Sequence, residues 1–242
     1  MSDFLHVSLR SRDRDQTSEW YQKNLGFEER RRGTTGIGTQ TAILELPGNK
    51  TYIEVSDRSK LGRDFEIPDE AIALQFTVDD LKAAHQRLQQ NGTKIIAGNP
   101  DEGYLLVQDV DGYEVEITAG EAGTFSSFGI RVHDLDESAK FYVQHFGFRE
   151  TRRGTSPRGE QIVELELPGN VTTLTLRQAP ASSGPLGIPE NLMHMAFPVP
   201  DMNRFREEMK QKGVGVDPDG DRMSWVLDPD GYELEMIERR QG

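Results

Sequence analysis

A formal charge of −13, from 28 Lys plus Arg against 41 Asp plus Glu in 242 residues, argues against nucleic acid or an anionic membrane as the main partner, because both are polyanions. The absence of cysteine excludes disulfides and thiolate metal sites, so any metal must be held by histidine and carboxylate. No basic segment followed by an apolar run opens the chain, and no stretch has the length of a membrane span, so a cytoplasmic protein is expected.

Taken in chain order, the first strand is expected where Leu5, Val7 and Leu9 alternate with His6, Ser8 and Arg10. A helix follows, capped by Asp13 or Asp15, striped by Trp20, Tyr21 and Leu25, and ended by Gly26. The charged run Glu28 to Arg32 reads as a solvated strand edge, where charge discourages pairing with other chains. Strands continue to Tyr52–Val55. The order then repeats. Ile72, Leu74, Phe76 and Val78 mark a strand, and Asp79 or Asp80 opens a helix through Leu81, Ala84 and Leu88 that Gly92 stops. Asp111-Gly112 marks the turn before the strand Tyr113–Ile117. Later in the chain, helices are expected from Asp134 to Gly147 and from Asp201 to Gly213, with a turn at Asp228–Gly231. Trp20 and Phe141 are expected in the core, and His85, His133 and His145 on the surface.

The chain repeats itself. Tyr21-Gln-Lys-Asn-Leu-Gly-Phe27 recurs as Tyr142-Val-Gln-His-Phe-Gly-Phe148, Arg31-Arg-Gly-Thr34 as Arg152-Arg-Gly-Thr155, and Leu44-Glu-Leu-Pro-Gly-Asn49 as Leu165-Glu-Leu-Pro-Gly-Asn170. All three pairs lie 121 residues apart. The small, polar stretch Ala119 to Thr124 is the expected boundary. Each half divides again, which makes four modules of strand, helix and three further strands.

Four such modules, with Phe-Tyr and Gly-Phe flanking the helix at 141–148 and the run Asp228-Pro-Asp-Gly-Tyr-Glu-Leu-Glu235, resemble the vicinal-oxygen-chelate superfamily of glyoxalases, bleomycin-resistance proteins and extradiol dioxygenases. The resemblance covers nearly the whole chain. It implies an α+β fold of four βαβββ modules in two tandem domains, 1–120 and 121–242, whose mixed curved sheets form cups around a divalent metal. Ligands would come from the first and last strands of paired modules.

Carried over position by position, the first-strand places fall on His6, Ala73, Ser127 and His194, and the last-strand places on Glu54, Glu116, Thr175 and Glu235. The repeat spacing is 121 for His6 to Ser127, Ala73 to His194 and Glu54 to Thr175, but 119 for Glu116 to Glu235, which we attribute to a shorter hairpin near Val214 to Asp221. Strand parity allows His6, Glu54, His194 and Glu235 all to face away from the helices. Pairing of neighbouring modules would leave two incomplete sites. Pairing module one with module four gathers His6, Glu54, His194 and Glu235 and leaves Ala73, Glu116, Ser127 and Thr175 together. The crossed arrangement is the more economical, and single-chain glyoxalase I-like proteins share it.

The resemblance therefore implies a metal-dependent lyase or isomerase of the glyoxalase I kind, acting on a small oxygen-rich substrate chelated to Zn, Ni, Co, Mn or Fe(II). Glu235 is the candidate base and Glu54 its rival. Arg10, Arg58 and Trp225 are candidate substrate contacts. Arg10 stands where glyoxalase I has an arginine for the glutathione carboxylate, although Arg131 occupies the equivalent repeat position, so arginine there is either a scaffold feature or a clamp. Arg58 stands where that family often has Asn, a departure that tells against glutathione. An extradiol dioxygenase built on His6, His194 and Glu235 is the alternative, with Trp225 where a catalytic tyrosine is usual. A non-catalytic binding protein is the third reading, disfavoured by the polar Ser8, Arg10 and Ser56. The expected partner is a small molecule, and the expected assembly a monomer or homodimer. The loops from Ser56 to Glu70 and from Gln178 to Glu190 are expected to border the cup.

Overall fold

The structure is a computed structural model that describes residues 4–35, 38–57, 65–68, 71–121, 123–156, 158–180 and 186–239. Among the described residues, sixteen strands and four α-helices follow one another in the fourfold order read from the sequence. The first module comprises β1 (His6–Ser11), α1 (Arg14–Leu25), β2 (Glu28–Thr34), β3 (Gln40–Glu45) and β4 (Tyr52–Asp57). The second comprises β5 (Ile72–Val78), α2 (Leu81–Gln90), β6 (Ile95–Asn99), β7 (Tyr104–Gln108) and β8 (Glu114–Ala119). The third has β9 (Thr124–Val132), α3 (Leu135–Phe141), β10 (Arg149–Thr155), β11 (Gln161–Glu166) and β12 (Thr173–Gln178). The fourth has β13 (Met193–Val199), α4 (Met202–Gln211), β14 (Asp217–Asp219), β15 (Met223–Leu227) and β16 (Glu233–Glu238).

Local chemistry explains the helix limits. Of the alternatives at the first two helices, Asp13 caps α1 by accepting from the N–H groups of Asp15 and Gln16, and Asp80 caps α2 through the N–H of Ala83. Gly26 ends α1 in the left-handed region at φ 79°, which a side chain would resist. The third helix departs from its counterpart. It is α-helical only to Phe141 and widens into a π-helical turn at Tyr142–Phe146 before Gly147. The fourth module's first hairpin strand, β14, has 3 residues where β6 has 5, at the place where the repeat spacing shortens.

The strands form two mixed sheets of eight. One runs β14-β15-β16-β13-β1-β4-β3-β2 and the other β10-β11-β12-β9-β5-β8-β7-β6. Module one is thus joined to module four, and module two to module three, within a single chain. In each module the first strand lies parallel to the last, and the two modules of a sheet meet at an antiparallel seam, β1 with β13 or β5 with β9. The charged strand β2 ends the first sheet with its side chains largely in solvent.

The repeated Asp-x-Asp-Gly-Tyr turns lock the sheets together. Asp109 Oδ1 accepts from the N–H groups of Asp111, Gly112 and Tyr113, while Oδ2 accepts the Tyr21 hydroxyl at 3.0 Å. Asp228 repeats this with Asp230, Tyr232 and the Tyr142 hydroxyl. The Tyr113 hydroxyl donates toward the carbonyls of Arg10 and Leu192, and that of Tyr232 toward Ala71 and Arg131, so each tyrosine from one sheet closes the seam of the other. Burial, followed by the Asp111 charge, pushes the Asp109 carboxyl up to about 7, and burial takes that of Asp228 to about 6.

Candidate metal centre

The register of the first sheet decides which side chains meet. Ser8 lies between Glu54 on β4 and His194 on β13, and Ala196 lies beside Glu235, which in turn faces Trp225 on β15. Residues paired across neighbouring strands share a face, and residues two apart on one strand do too. His6, Tyr52, Glu54, His194, Glu235 and Trp225 therefore all project from one side of the sheet.

They converge. His6 Nε2 lies 3.4 Å from His194 Nε2 and 3.5 Å from Glu235 Oε2, and His194 Nε2 lies 3.4 Å from the same carboxylate oxygen. Donor atoms of His6, Glu54 and His194 all lie within 4.8 Å of one another. Ligands held at 2.0–2.1 Å around a tetrahedral divalent ion stand about 3.4 Å apart, so the His6–His194–Glu235 triangle has the size of one face of such a shell. Burial opposes the charge on Glu235, but hydrogen bonds to His194 and His6, with their positive potential, outweigh it and hold the carboxyl down at about 2. It is therefore ionised at neutral pH, the form in which a carboxylate can ligate a metal.

Tyr52 was not singled out from the sequence, yet it orients the centre. Its hydroxyl lies 3.0 Å from His6 Nδ1, and the two rings stack with centroids 4.9 Å apart. That contact turns Nε2 toward His194 and Glu235. The signal was available, because the period of two that puts Glu54 on this face puts Tyr52 there as well. Burial, reinforced by the Glu54 and Glu235 charges, pushes the phenol up to about 12, so it stays protonated.

A cleft of about 1250 Å³ opens over the cluster. Glu54, His194, Glu235 and Trp225 line it, as do Ile188, Pro189 and Glu190 from the second of the expected bordering loops. Trp225 stands edge-on to His194 with centroids 5.1 Å apart. Arg10 is placed differently from the other candidates: it is 8% exposed, with its guanidinium 4.8 Å over the Phe65 ring, and is not among the described residues that line the cleft. Arg58 lies outside the described residues.

The second sheet carries other groups at the same places. Ser127 and Thr175 hydroxyls bond each other at 2.7 Å, and Glu116 accepts from Gln75 at 3.4 Å. Burial raises the Glu116 carboxyl despite the nearby Arg158 and Arg177. Among the described residues, no second set of histidines and carboxylates gathers there.

Comparison with known proteins agrees with this architecture. The family model described as the Glyoxalase/Bleomycin resistance protein/Dioxygenase superfamily matches twice, over residues 3–117 and 124–236. The chain is 31% identical over 117 residues to the uncharacterized protein YwkD of Bacillus subtilis (strain 168), covering 44% of this chain and 89% of that one. It is 28% identical over 121 residues to a lactoylglutathione lyase of Arabidopsis thaliana, covering 45% of this chain but only 42% of the plant protein. The crystal structure of glyoxalase I from Zea mays superposes with a TM-score of 0.74 at 20% identity, covering 98% of this chain and 92% of that one, a likeness of fold.

Proposed function

The chain belongs to the Glyoxalase/Bleomycin resistance protein/Dioxygenase superfamily, and on that premise we propose that it is a metal-dependent lyase or isomerase of the glyoxalase I kind. The observation that carries the reading is the convergence of His6, His194 and Glu235 at 3.4–3.5 Å, with Glu54 beside them, on the floor of an open cleft. His6, His194, Glu235 and Glu54 would hold a divalent ion. When bound, that ion would polarise an oxygen of a small substrate as a Lewis acid. Two imidazoles and two carboxylates suit Zn, Ni, Co, Mn or Fe(II) alike.

The chain's own residues divide the remaining work. With His6 Nε2 as a ligand, its Nδ1–H donates to the Tyr52 oxygen, which fixes the tautomer and the ring. Glu235 is engaged by both imidazoles. Among the described residues Glu54 accepts one long hydrogen bond, from the Ser8 hydroxyl at 3.4 Å, and it faces the cleft. We therefore assign proton transfer at the substrate carbon to Glu54, the more loosely held of the two carboxylates that would ligate the ion, which reverses the ranking read from the sequence. Trp225 supplies an aromatic wall for the substrate.

The compact His6–His194–Glu235 triangle favours one second reading, an Fe(II) extradiol dioxygenase, since two histidines and one carboxylate leave places for a catecholate and dioxygen. The test begins with metal content by mass spectrometry on protein purified without chelator or affinity metal. About one divalent ion per chain, lost in His194→Ala, is expected. Protein that takes up no metal even after anaerobic reconstitution would overturn both enzyme readings. Isomerisation of 2-oxoaldehyde hemithioacetals separates the lyase from the dioxygenase, which would release a yellow ring-fission product from catechols.

A further inference from the structure

The cleft carries a charge pattern that narrows its substrates. Six carboxylates line it: Glu54, Glu190, Asp217, Asp219, Glu233 and Glu235. Its described lining residues include no lysine or arginine. A divalent ion would balance Glu54 and Glu235, the two carboxylates that hold it. Glu190, Asp217 and Asp219 would remain as further acidic groups around the entrance. Clefts lined by one sign of charge focus the potential inward and repel ligands of the same sign.

The aromatic wall lies within this pattern. Asp217 stands opposite Trp225 in the β14–β15 register, and Asp219 Oδ2 lies 3.5 Å from the Trp225 indole nitrogen. Met193, Met223 and Val216 line the same cleft and add apolar surface. A tryptophan face flanked by carboxylates attracts an organic cation twice over, through the ring quadrupole and through charge. An anionic thiol conjugate, with carboxylates of its own, would meet only repulsion from these groups.

We infer that this cleft selects substrates bearing a cationic group beside an apolar body, bound against Trp225, Asp217 and Asp219, and disfavours anionic ones. The inference rests on the metal-centre reading for the chemistry, while the charge selection is measured independently of it. The chain has two tryptophans, so a Trp20→Phe background leaves Trp225 as the sole reporter. In that background, Trp225 fluorescence is titrated with phenyltrimethylammonium and with benzenesulfonate, in metal-loaded and chelator-treated protein whose metal content is measured in parallel. The cation is expected to bind roughly tenfold more tightly than the anion in both forms. The ratio is expected to fall below about threefold in Asp217→Asn/Asp219→Asn, whose two positions are exposed and so leave folding intact. Equal or tighter binding of benzenesulfonate, a ratio unmoved by the double substitution, or no response to either probe would overturn the inference. A preference for the cation in protein that takes up no metal would sink the metal centre and leave the charge selection standing.

Discussion

His6, Glu54, His194 and Glu235 on the first sheet have Ser127, Thr175, Ala73 and Glu116 as their counterparts on the second. The exchange continues around them. Ser56 corresponds to Arg177, Thr39 to Glu160 and Ser8 to Gly129, each 121 residues on, while Trp225 corresponds to Leu106 and Glu233 to Glu114. Arg177 is only 4% exposed and lies 3.9 Å from Glu114 and 3.6 Å from Glu160, with Arg158 also 3.0 Å from Glu114 and Arg131 3.5 Å from Glu160. Gly129 lies against that arginine: a Cβ there would meet its Nε at 3.5 Å, an ordinary van der Waals contact. Buried carboxylates need a partner of opposite charge. The second sheet takes that charge from its own arginines. The first brings imidazoles and carboxylates together with no arginine among the described residues of the cluster, an arrangement suited to a small ion from outside. One scaffold thus carries two electrostatic solutions.

The comparison breaks most forcibly at Arg177. Arg177→Met removes the central cation of the second sheet and leaves Glu114 and Glu160 less well partnered, so chemical denaturation is expected to show a loss of about 3–5 kcal/mol. His194→Ala is expected to leave metal-free stability nearly unchanged while weakening metal affinity by roughly a hundredfold to a thousandfold, the share of one ligand in a four-ligand site, as read by competition with a chelating dye.

The two buried aspartates sharpen the contrast between the module pairs. Their folded-state values, about 7 for Asp109 and about 6 for Asp228, lie above the ordinary 3.8. A group raised in this way lends stability that is fully present below its unfolded value and is lost as pH rises through the folded one. Stability is therefore expected to fall between about pH 4 and pH 7, and Asp109→Asn, which can keep the Oδ1 acceptor, is expected to flatten most of that slope in denaturation curves taken across the range. A slope unchanged by Asp109→Asn would remove this carboxyl as its source. The smallest effect is expected from Tyr52→Phe, which loses the hydroxyl beside His6 Nδ1 and should weaken metal binding by about 10–100-fold with the fold intact, measured by the same dye competition.

Much of this was legible in the sequence. Helix ends were local matters of side-chain capping and left-handed glycine, as at Asp13 and Gly26. The outward face of each strand followed from a period of two, which is why His6, Glu54, His194 and Glu235 could be placed on one side before any sheet was known. The hydrogen bonding of the Asp-x-Asp-Gly-Tyr turns was not legible, because a tyrosine hydroxyl reaching the carbonyls of Arg10 and Leu192 joins residues 103 and 79 positions apart. Only the tertiary structure decided that β1 meets β13 rather than β5. Each seam strand has the same alternating pattern, so local periodicity cannot choose its partner, and it was the sorting of ligand types that favoured the crossed pairing. The burial of Arg10 beneath Phe65 and the gathering of acidic side chains from β4, β14, β16 and the chain before β13 were likewise decided in three dimensions. Charge in a cleft depends on which distant segments share it, and no single segment's sequence contains that information.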